Sequence, residues 1–125
     1  MSGKDSSCAD ENYFCHIVIP SKNFEESRTF FEKAFGWIVQ GAPEAGVMDV
    51  LPPSGKGIGA ELNSEEEVIV PAIHTCDIEV KLELIELYGG KILRGKSPVG
   101  ADAQHGFYAL FEDPHGNRMA LYQEP

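Results

Sequence analysis

Hydrophobic and polar residues alternate in short runs along most of the chain, which is the pattern of half-buried β-strands. An exception begins at Asn23, after which apolar residues recur at helical spacing as far as Phe35. Asn23 followed by Glu26 has the form of a capping box, and Gly36 stands where a left-handed C-cap ends a helix. The pattern therefore predicts a helix between Asn23 and Gly36. Strands are predicted at Tyr13–Pro20, Trp37–Ala42, Val47–Leu51, Ile58–Leu62, Val68–Thr75, Lys91–Arg94, Phe107–Glu112 and Arg118–Gln123.

The segment Ile78–Tyr88 fits two interpretations. Its apolar residues alternate with charged ones, which favours a strand, whereas Asp77 as N-cap and the glycines that follow favour a helix. Internal repetition decides between them. The cap and stop of the first helix lie 13 residues apart, Asp77 and Gly90 are separated by the same distance, and the second pair follows the first by 54 residues. We therefore predict a helix here, and two copies of strand–helix–strand–strand–strand joined at residues 63–67. Such a chain has an α+β fold.

Composition and charge exclude several classes of function. The 125 residues carry 20 acidic and 10 basic side chains, a net charge of −10. This charge opposes binding to nucleic acid and to anionic membranes, and no apolar run approaches the ~20 residues of a membrane span. Residues 1–12 are polar and lack the apolar segment of a secretory signal, so we expect a flexible tail there. The three cysteines have no metal-binding spacing and are expected as reduced thiols in a cytoplasmic protein.

Three stretches carry a resemblance to a known family: His16–Trp37, Asp77–Leu93 and Phe111–Gln123, the last with an Asp-Pro-His-Gly-Asn turn. They resemble the vicinal oxygen chelate superfamily, the group of glyoxalase I, the bleomycin-resistance proteins and the extradiol dioxygenases. The resemblance implies two βαβββ modules, at residues 13–62 and 63–125, that together make one glyoxalase-like domain. Their curved mixed sheets would surround a cavity and carry the helices on the convex face. In the metal-dependent members, the first and last strands of each module supply one metal ligand each.

Matched to that family pattern, the chain supplies half of a metal site. His16 falls on the first-strand ligand position of module one, and Glu61 on its last-strand position. The corresponding positions of module two are Val70, or Pro71 if the register slips by one, and Ala120, and none of these side chains can ligate a metal. We therefore expect no cofactor, apart from a divalent metal such as zinc or nickel held weakly by His16 and Glu61. The same two residues are candidates for catalysis as an acid–base pair, or His16 is simply a hydrogen-bonded residue of the cavity wall.

The resemblance implies a glyoxalase- or bleomycin-resistance-like protein that binds a small molecule in the sheet cavity without a complete catalytic metal site. Two alternatives stay open: a metal-dependent lyase or isomerase of glyoxalase type, and a non-catalytic protein that sequesters a drug or toxin. The open edges of the predicted sheets favour a homodimer. Strand alternation predicts that His16 points into the cavity while Cys15 and Ile17 face the helices. Further candidates for contact with a ligand, each of which also fits a core position, are Trp37, Met48, His74, Tyr108, Ala120 and Tyr122.

Overall fold

The computed structural model describes residues 11–125, which divide into two compact units: residues 15–71, and residues 11–14 together with 72–125. Each unit combines one α-helix with strands in the order β-α-β-β-β, so the fold is α+β with two βαβββ modules, as the sequence predicts. Neither of the two α-helices in the described part of the chain has the length and apolar content needed to cross a bilayer.

The first module comprises β1 (Tyr13–Pro20), α1 (Phe24–Phe35), β2 (Ile38–Gln40), β3 (Val47–Leu51) and β4 (Gly59–Asn63). Its strands lie side by side in the order β2-β3-β4-β1. The first and last strands of the module, β1 and β4, are parallel neighbours. The pairs β2–β3 and β3–β4 are antiparallel. The crossover through α1 is what allows β1 and β4 to be parallel neighbours.

The first helix begins and ends where local chemistry directs it. The Asn23 side chain accepts a hydrogen bond from the backbone N–H of Glu26 at 3.0 Å, and Gly36 ends the helix with a φ of 69°. Phe24 and Phe31 on α1 then pack against the sheet, over a core of buried residues formed by Val39, Met48, Val50 and Leu62. The cap therefore sets where α1 begins, and its apolar residues pack the helix on one face of the sheet.

The second module comprises β5 (Val70–His74), α2 (Ile78–Leu87), β6 (Lys91–Pro98), β7 (Phe107–Glu112) and β8 (Arg118–Gln123). Its strand order, β5-β8-β7-β6, repeats that of the first module, again with the first and last strands parallel. The helical interpretation of the ambiguous segment is thus confirmed. Its core of buried residues consists of Ile78, Leu82, Ala109, Phe111 and Leu121.

Several predicted boundaries differ from the structure, most of them by one or two residues, and the two described here lie in the second module. Helix α2 ends at Leu87, and the left-handed glycine behind it is Gly89, with a φ of 99°, whereas Gly90 has no positive φ. Strand β6 continues beyond the predicted Arg94 to Pro98, because two register irregularities let it follow β7 further. Neither difference alters the repeated strand–helix–strand–strand–strand arrangement.

The cysteines depart in part from the expectation of reduced thiols. Cys15 is not part of a disulfide, whereas Cys76 takes part in a disulfide bond. Disulfides persist mainly in oxidising compartments. The thiol expectation is therefore wrong for Cys76, and it no longer supports a cytoplasmic location.

Candidate functional site

Three ionisable side chains lie on the face of the first sheet that α1 does not cover. Glu61 on β4 pairs with Val18 on β1 and with Asp49 on β3, and directly paired residues project from the same face of a sheet. His16 stands two residues before Val18 and points to that face as well. Leu62, the neighbour of Glu61, is fully buried in the core beside α1. His16, Glu61 and Asp49 therefore share the opposite, uncovered face.

The orientation of β1 follows the predicted alternation. Ile19 packs against the core on the α1 side of the sheet. Cys15 and Ile17 lie at even spacing from Ile19 and belong to the same side, whereas His16 belongs to the other. The imidazole is thus carried on the uncovered face by the strand geometry alone.

Burial and nearby carboxylates act on His16 in opposite directions. Partial loss of hydration lowers the pKa of His16, and the carboxylates of Glu61 and Asp49 raise it by favouring the imidazolium form. Burial prevails, so the pKa lies below its ordinary value. Close beside the ring, Cys15 Sγ lies 3.5 Å from His16 Nδ1. Burial also raises the pKa of the Cys15 thiol, which favours its protonated form.

Two further residues define the space around this imidazole. Asn63 Nδ2 donates a hydrogen bond to Glu61 Oε2 at 3.0 Å, which orients the carboxylate. Gly59 pairs directly with His16 across the β1–β4 ladder and has no side chain to cover the ring. The arrangement combines an imidazole with two carboxylates, that of Glu61 oriented by Asn63, on the face of the sheet that α1 does not cover. This set of groups is suited to proton transfer.

Four of the sequence-predicted contact residues share one face of the second sheet. Tyr122 pairs with His74 on β5 and with Tyr108 on β7, and Ala120 lies two residues before Tyr122 on β8. Leu121 between them is buried in the core beside α2. These four residues therefore lie on the face that α2 does not cover.

His74 is the most enclosed polar residue of that face, with 7% of its surface exposed. Its ring stacks on Tyr13 with 5.0 Å between centroids, and its Nε2 lies 3.8 Å from Glu124 Oε2. Nδ1 is buried and has no hydrogen-bond partner within the described residues. The neighbouring Tyr122 hydroxyl donates to the carbonyl oxygen of His105 at 2.6 Å, which ties the loop before β7 to this face.

The structure does not bring Trp37 and Met48 to the uncovered face. Met48 is 1% exposed and belongs to the core on the α1 side. Trp37 stacks on Phe31 and Phe35 at the end of α1, with centroid distances of 5.1 and 5.2 Å. Both side chains stabilise the contact between helix and sheet.

Asp49 belongs to the site but was not among the predicted residues. The signal was present, since Asp49 is the one charged residue in an otherwise apolar strand, Val47–Leu51, between two buried neighbours. Its relation to Glu61, however, depends on the antiparallel register of β3 and β4. A pattern in one strand does not specify that register.

The residues present do not fit a complete metal site of the family type. Ala72 pairs with Ala120 in the second module as Val18 pairs with Glu61 in the first, which makes Ala120 the counterpart of Glu61. His16 lies two residues before Val18 on β1, and Val70 lies two residues before Ala72 on β5, so Val70 is the counterpart of His16. The side chain of Val70 has no atom that can ligate a metal. Across residues 11–125 no group of three or more histidine, cysteine or acidic side chains is placed to hold a metal ion.

Comparison with known proteins agrees with this architecture. A model of the Glyoxalase/Bleomycin resistance protein/Dioxygenase superfamily matches residues 14–121. No curated protein sequence matches the chain significantly. The structure is similar to a hypothetical protein from Bacillus halodurans, with a TM-score of 0.67 and 18% identity over 91% of this chain and 95% of that one.

Two other similar structures are methylmalonyl-CoA epimerases. One, in complex with methylmalonyl-CoA and an ammonium ion, has a TM-score of 0.63 and 16% identity over 92% of this chain and 96% of the epimerase. The enzyme from Mycobacterium tuberculosis has a TM-score of 0.60 and 12% identity over 90% of this chain and 87% of that one. At these identities the likeness is one of fold.

Proposed function

The chain belongs to the glyoxalase/bleomycin resistance protein/dioxygenase superfamily, and on that premise we propose that it binds a small molecule on the uncovered face of its first module. His16, Glu61 and Asp49 would contact the ligand and exchange protons with it. The observation that carries this proposal is the placement of the three side chains on one face by the β1–β4–β3 register. No complete metal site is part of the proposal.

The chemistry of these groups favours a ligand with an acidic C–H bond. Removal and return of a proton next to a carbonyl group needs a base of suitable pKa and a donor for the developing oxyanion, and imidazole and carboxylate side chains supply both. The epimerases of similar fold bear the name of a substrate of this kind, methylmalonyl-CoA. Methylmalonyl-CoA is therefore a rational first probe, and its epimerisation is the enzymatic form of the proposal.

Binding and proton exchange are tested separately. Calorimetric titration with methylmalonyl-CoA measures binding, and the loss of its α-proton signal in D₂O, followed by proton NMR, measures exchange. We expect His16→Gln and Glu61→Gln each to slow exchange by about a hundredfold or more, the range that general acid–base catalysis contributes. Glu83→Gln, on the exposed side of α2, is the matched control and should retain the wild-type rate. Equal rates in all four proteins would contradict the proposal.

The two alternatives give different results in the same experiments. Binding without proton exchange in any protein favours a non-catalytic protein that sequesters its ligand. A lyase or isomerase with a metal requires one tightly bound ion per chain, which calorimetric titration with Zn²⁺ or Ni²⁺ detects. We expect weak, substoichiometric binding, because Val70 and Ala120 contribute no ligand. The double variant Val70→His with Ala120→Glu restores the residue types of the family pattern and should raise the Zn²⁺ affinity by more than tenfold.

A homodimer is the assembly we propose, because within residues 11–125 each sheet ends in a strand with one unpaired edge, β2 in the first module and β6 in the second. Light scattering at micromolar concentration distinguishes a dimer from the 13.7 kDa monomer. A cytoplasmic location also stays a proposal, and fractionation of cells that produce the protein tests it.

A further inference from the structure

The Cys15 thiol and the His16 imidazole are in direct contact, although they leave the strand on opposite sides. The Sγ–Nδ1 distance is 3.5 Å, within the range of a hydrogen bond to sulfur, and Cys15 is not part of a disulfide. We propose that Cys15 is a positioning residue: its S–H group donates to His16 Nδ1, so that the hydrogen of the neutral imidazole resides on Nε2. The role of Nε2 toward a ligand, described below, rests in addition on the proposed function.

The direction of this hydrogen bond follows from the chemistry of the two groups. A neutral imidazole has one N–H donor and one nitrogen whose free lone pair accepts well, whereas a thiol is a weak donor and a weak acceptor. Cys15 is a partly buried thiol beside the ring and outside any disulfide, so its sulfur carries a hydrogen that it can donate. The pairing of S–H with the lone pair of Nδ1 therefore satisfies both atoms better than the reverse arrangement does.

The groups on the uncovered face favour the same tautomer. The charges that act on His16 there are the carboxylates of Glu61 and Asp49, which only accept hydrogen bonds when ionised. An N–H at Nε2 suits that acceptor-rich surface, whereas a lone pair at Nε2 would oppose it. Cys15 on one side and the carboxylates on the other thus select the Nε2–H form.

This tautomer gives His16 and the carboxylates different roles in the proposed site. The Nε2–H group of His16 would donate to a carbonyl oxygen of the ligand, and a carboxylate, Glu61 or Asp49, would act as the base. The carboxylate takes the proton from the carbon next to the carbonyl, the C–H electron pair moves to the oxygen, and Nε2–H stabilises that oxyanion. Return of the proton to the carbon completes the exchange without any other reactant. The ligand class is therefore a carbonyl compound with an acidic α-hydrogen.

The tautomer is measured directly, without ligand, by NMR of protein that contains ¹⁵N-labelled histidine, above the pH range of histidine titration. The His16 signals are identified by their loss in His16→Gln. We expect Nδ1 to show the chemical shift of an unprotonated nitrogen and Nε2 that of a protonated one. In Cys15→Ala the ratio of Nε2–H to Nδ1–H forms should fall about fivefold, as expected for one hydrogen bond. Cys15→Ser, which keeps a donor, should resemble the wild type.

Ile17→Ala is the matched control, because it removes apolar volume from the same side of β1 without touching Nδ1, and its tautomer ratio should equal that of the wild type. A wild-type protein with the hydrogen mainly on Nδ1 overturns the proposal, and so does a Cys15→Ala ratio equal to that of the wild type. If Cys15→Ala does not fold, the wild-type and Cys15→Ser spectra still decide. The outcome is independent of methylmalonyl-CoA exchange, so failure of the tautomer proposal and failure of the proposed function are distinguishable.

Discussion

Gly59 offers the sharpest test of how the sheet supports the site, because it lies between His16 and the backbone of β3. A Cβ atom at position 59 would lie 2.9 Å from the carbonyl oxygen of Val50, closer than such atoms approach in proteins. The backbone of Gly59 does not have a positive φ, so the strain of Gly59→Ala is steric alone. The substitution should force β3 and β4 apart, and the paired His16 with them.

The magnitude follows from two opposing effects. Overpacking of a well-packed site costs about 1–3 kcal/mol, and replacing glycine by alanine returns about 0.4–1 kcal/mol by restricting the unfolded chain. The net loss should be about 1–2 kcal/mol, which corresponds to a fall in Tm of about 4–8 °C for a chain of this size. Urea denaturation followed by circular dichroism should show a lower midpoint with an unchanged m-value.

Gly95→Ala is the matched control for Gly59→Ala. Gly95 also lies in a strand and lacks a positive φ, but a Cβ there meets no atom within 4 Å. This variant should be as stable as the wild type or gain about 0.4–1 kcal/mol. The reasoning fails if Gly59→Ala is as stable as Gly95→Ala, or if the NMR signals of His16 are the same in Gly59→Ala and the wild type.

Three further predictions concern histidines. Glu61→Gln should lower the pKa of His16 further in an NMR titration, because it removes an attraction that favours imidazolium, and an unchanged or higher pKa would contradict this. Burial lowers the pKa of folded His16 below 6.5, so the stability that neutral His16 contributes is complete above pH 6.5 and is lost as the pH falls toward the folded pKa. His16→Gln should therefore flatten this part of the curve of unfolding free energy against pH. A steeper slope in His16→Gln would argue against burial as the cause. His74→Phe keeps an aromatic ring on Tyr13 and removes a buried nitrogen that has no partner among residues 11–125, so it should stabilise the protein by about 1 kcal/mol. A loss of stability in thermal denaturation would mean that Nδ1 is bonded.

Much of the fold could be predicted because its determinants are local. The caps at Asn23 and Asp77 act within three residues of themselves, through hydrogen bonds from the backbone N–H groups of Glu26 and Val80. The left-handed end of α1 needs only Gly36. Repetition of these short-range signals at a constant offset identified α2 despite its strand-like alternation. A cap accepts hydrogen bonds from backbone N–H groups in the first turn of its own helix, so it can be recognised from one short stretch of sequence.

The site depended on local and distant information together. Alternation along β1 was enough to place His16 opposite Cys15 and Ile17. Met48 and Asp49 are adjacent in one strand, and the choice between them depended on which face α1 covers.

The sequence by itself therefore determined the elements, their repeated order and the alternation of side chains along each strand, because helix caps, left-handed glycines and strand alternation act between neighbours. Only the tertiary structure decided that Asp49 joins Glu61 and that Met48 joins the core. The same is true of Cys76, which enters a disulfide rather than remaining a thiol. Each of these outcomes depends on strand register or on contact between distant segments. Strand register depends on how all the side chains of one sheet face pack together, and the sequence of a single strand does not specify that packing.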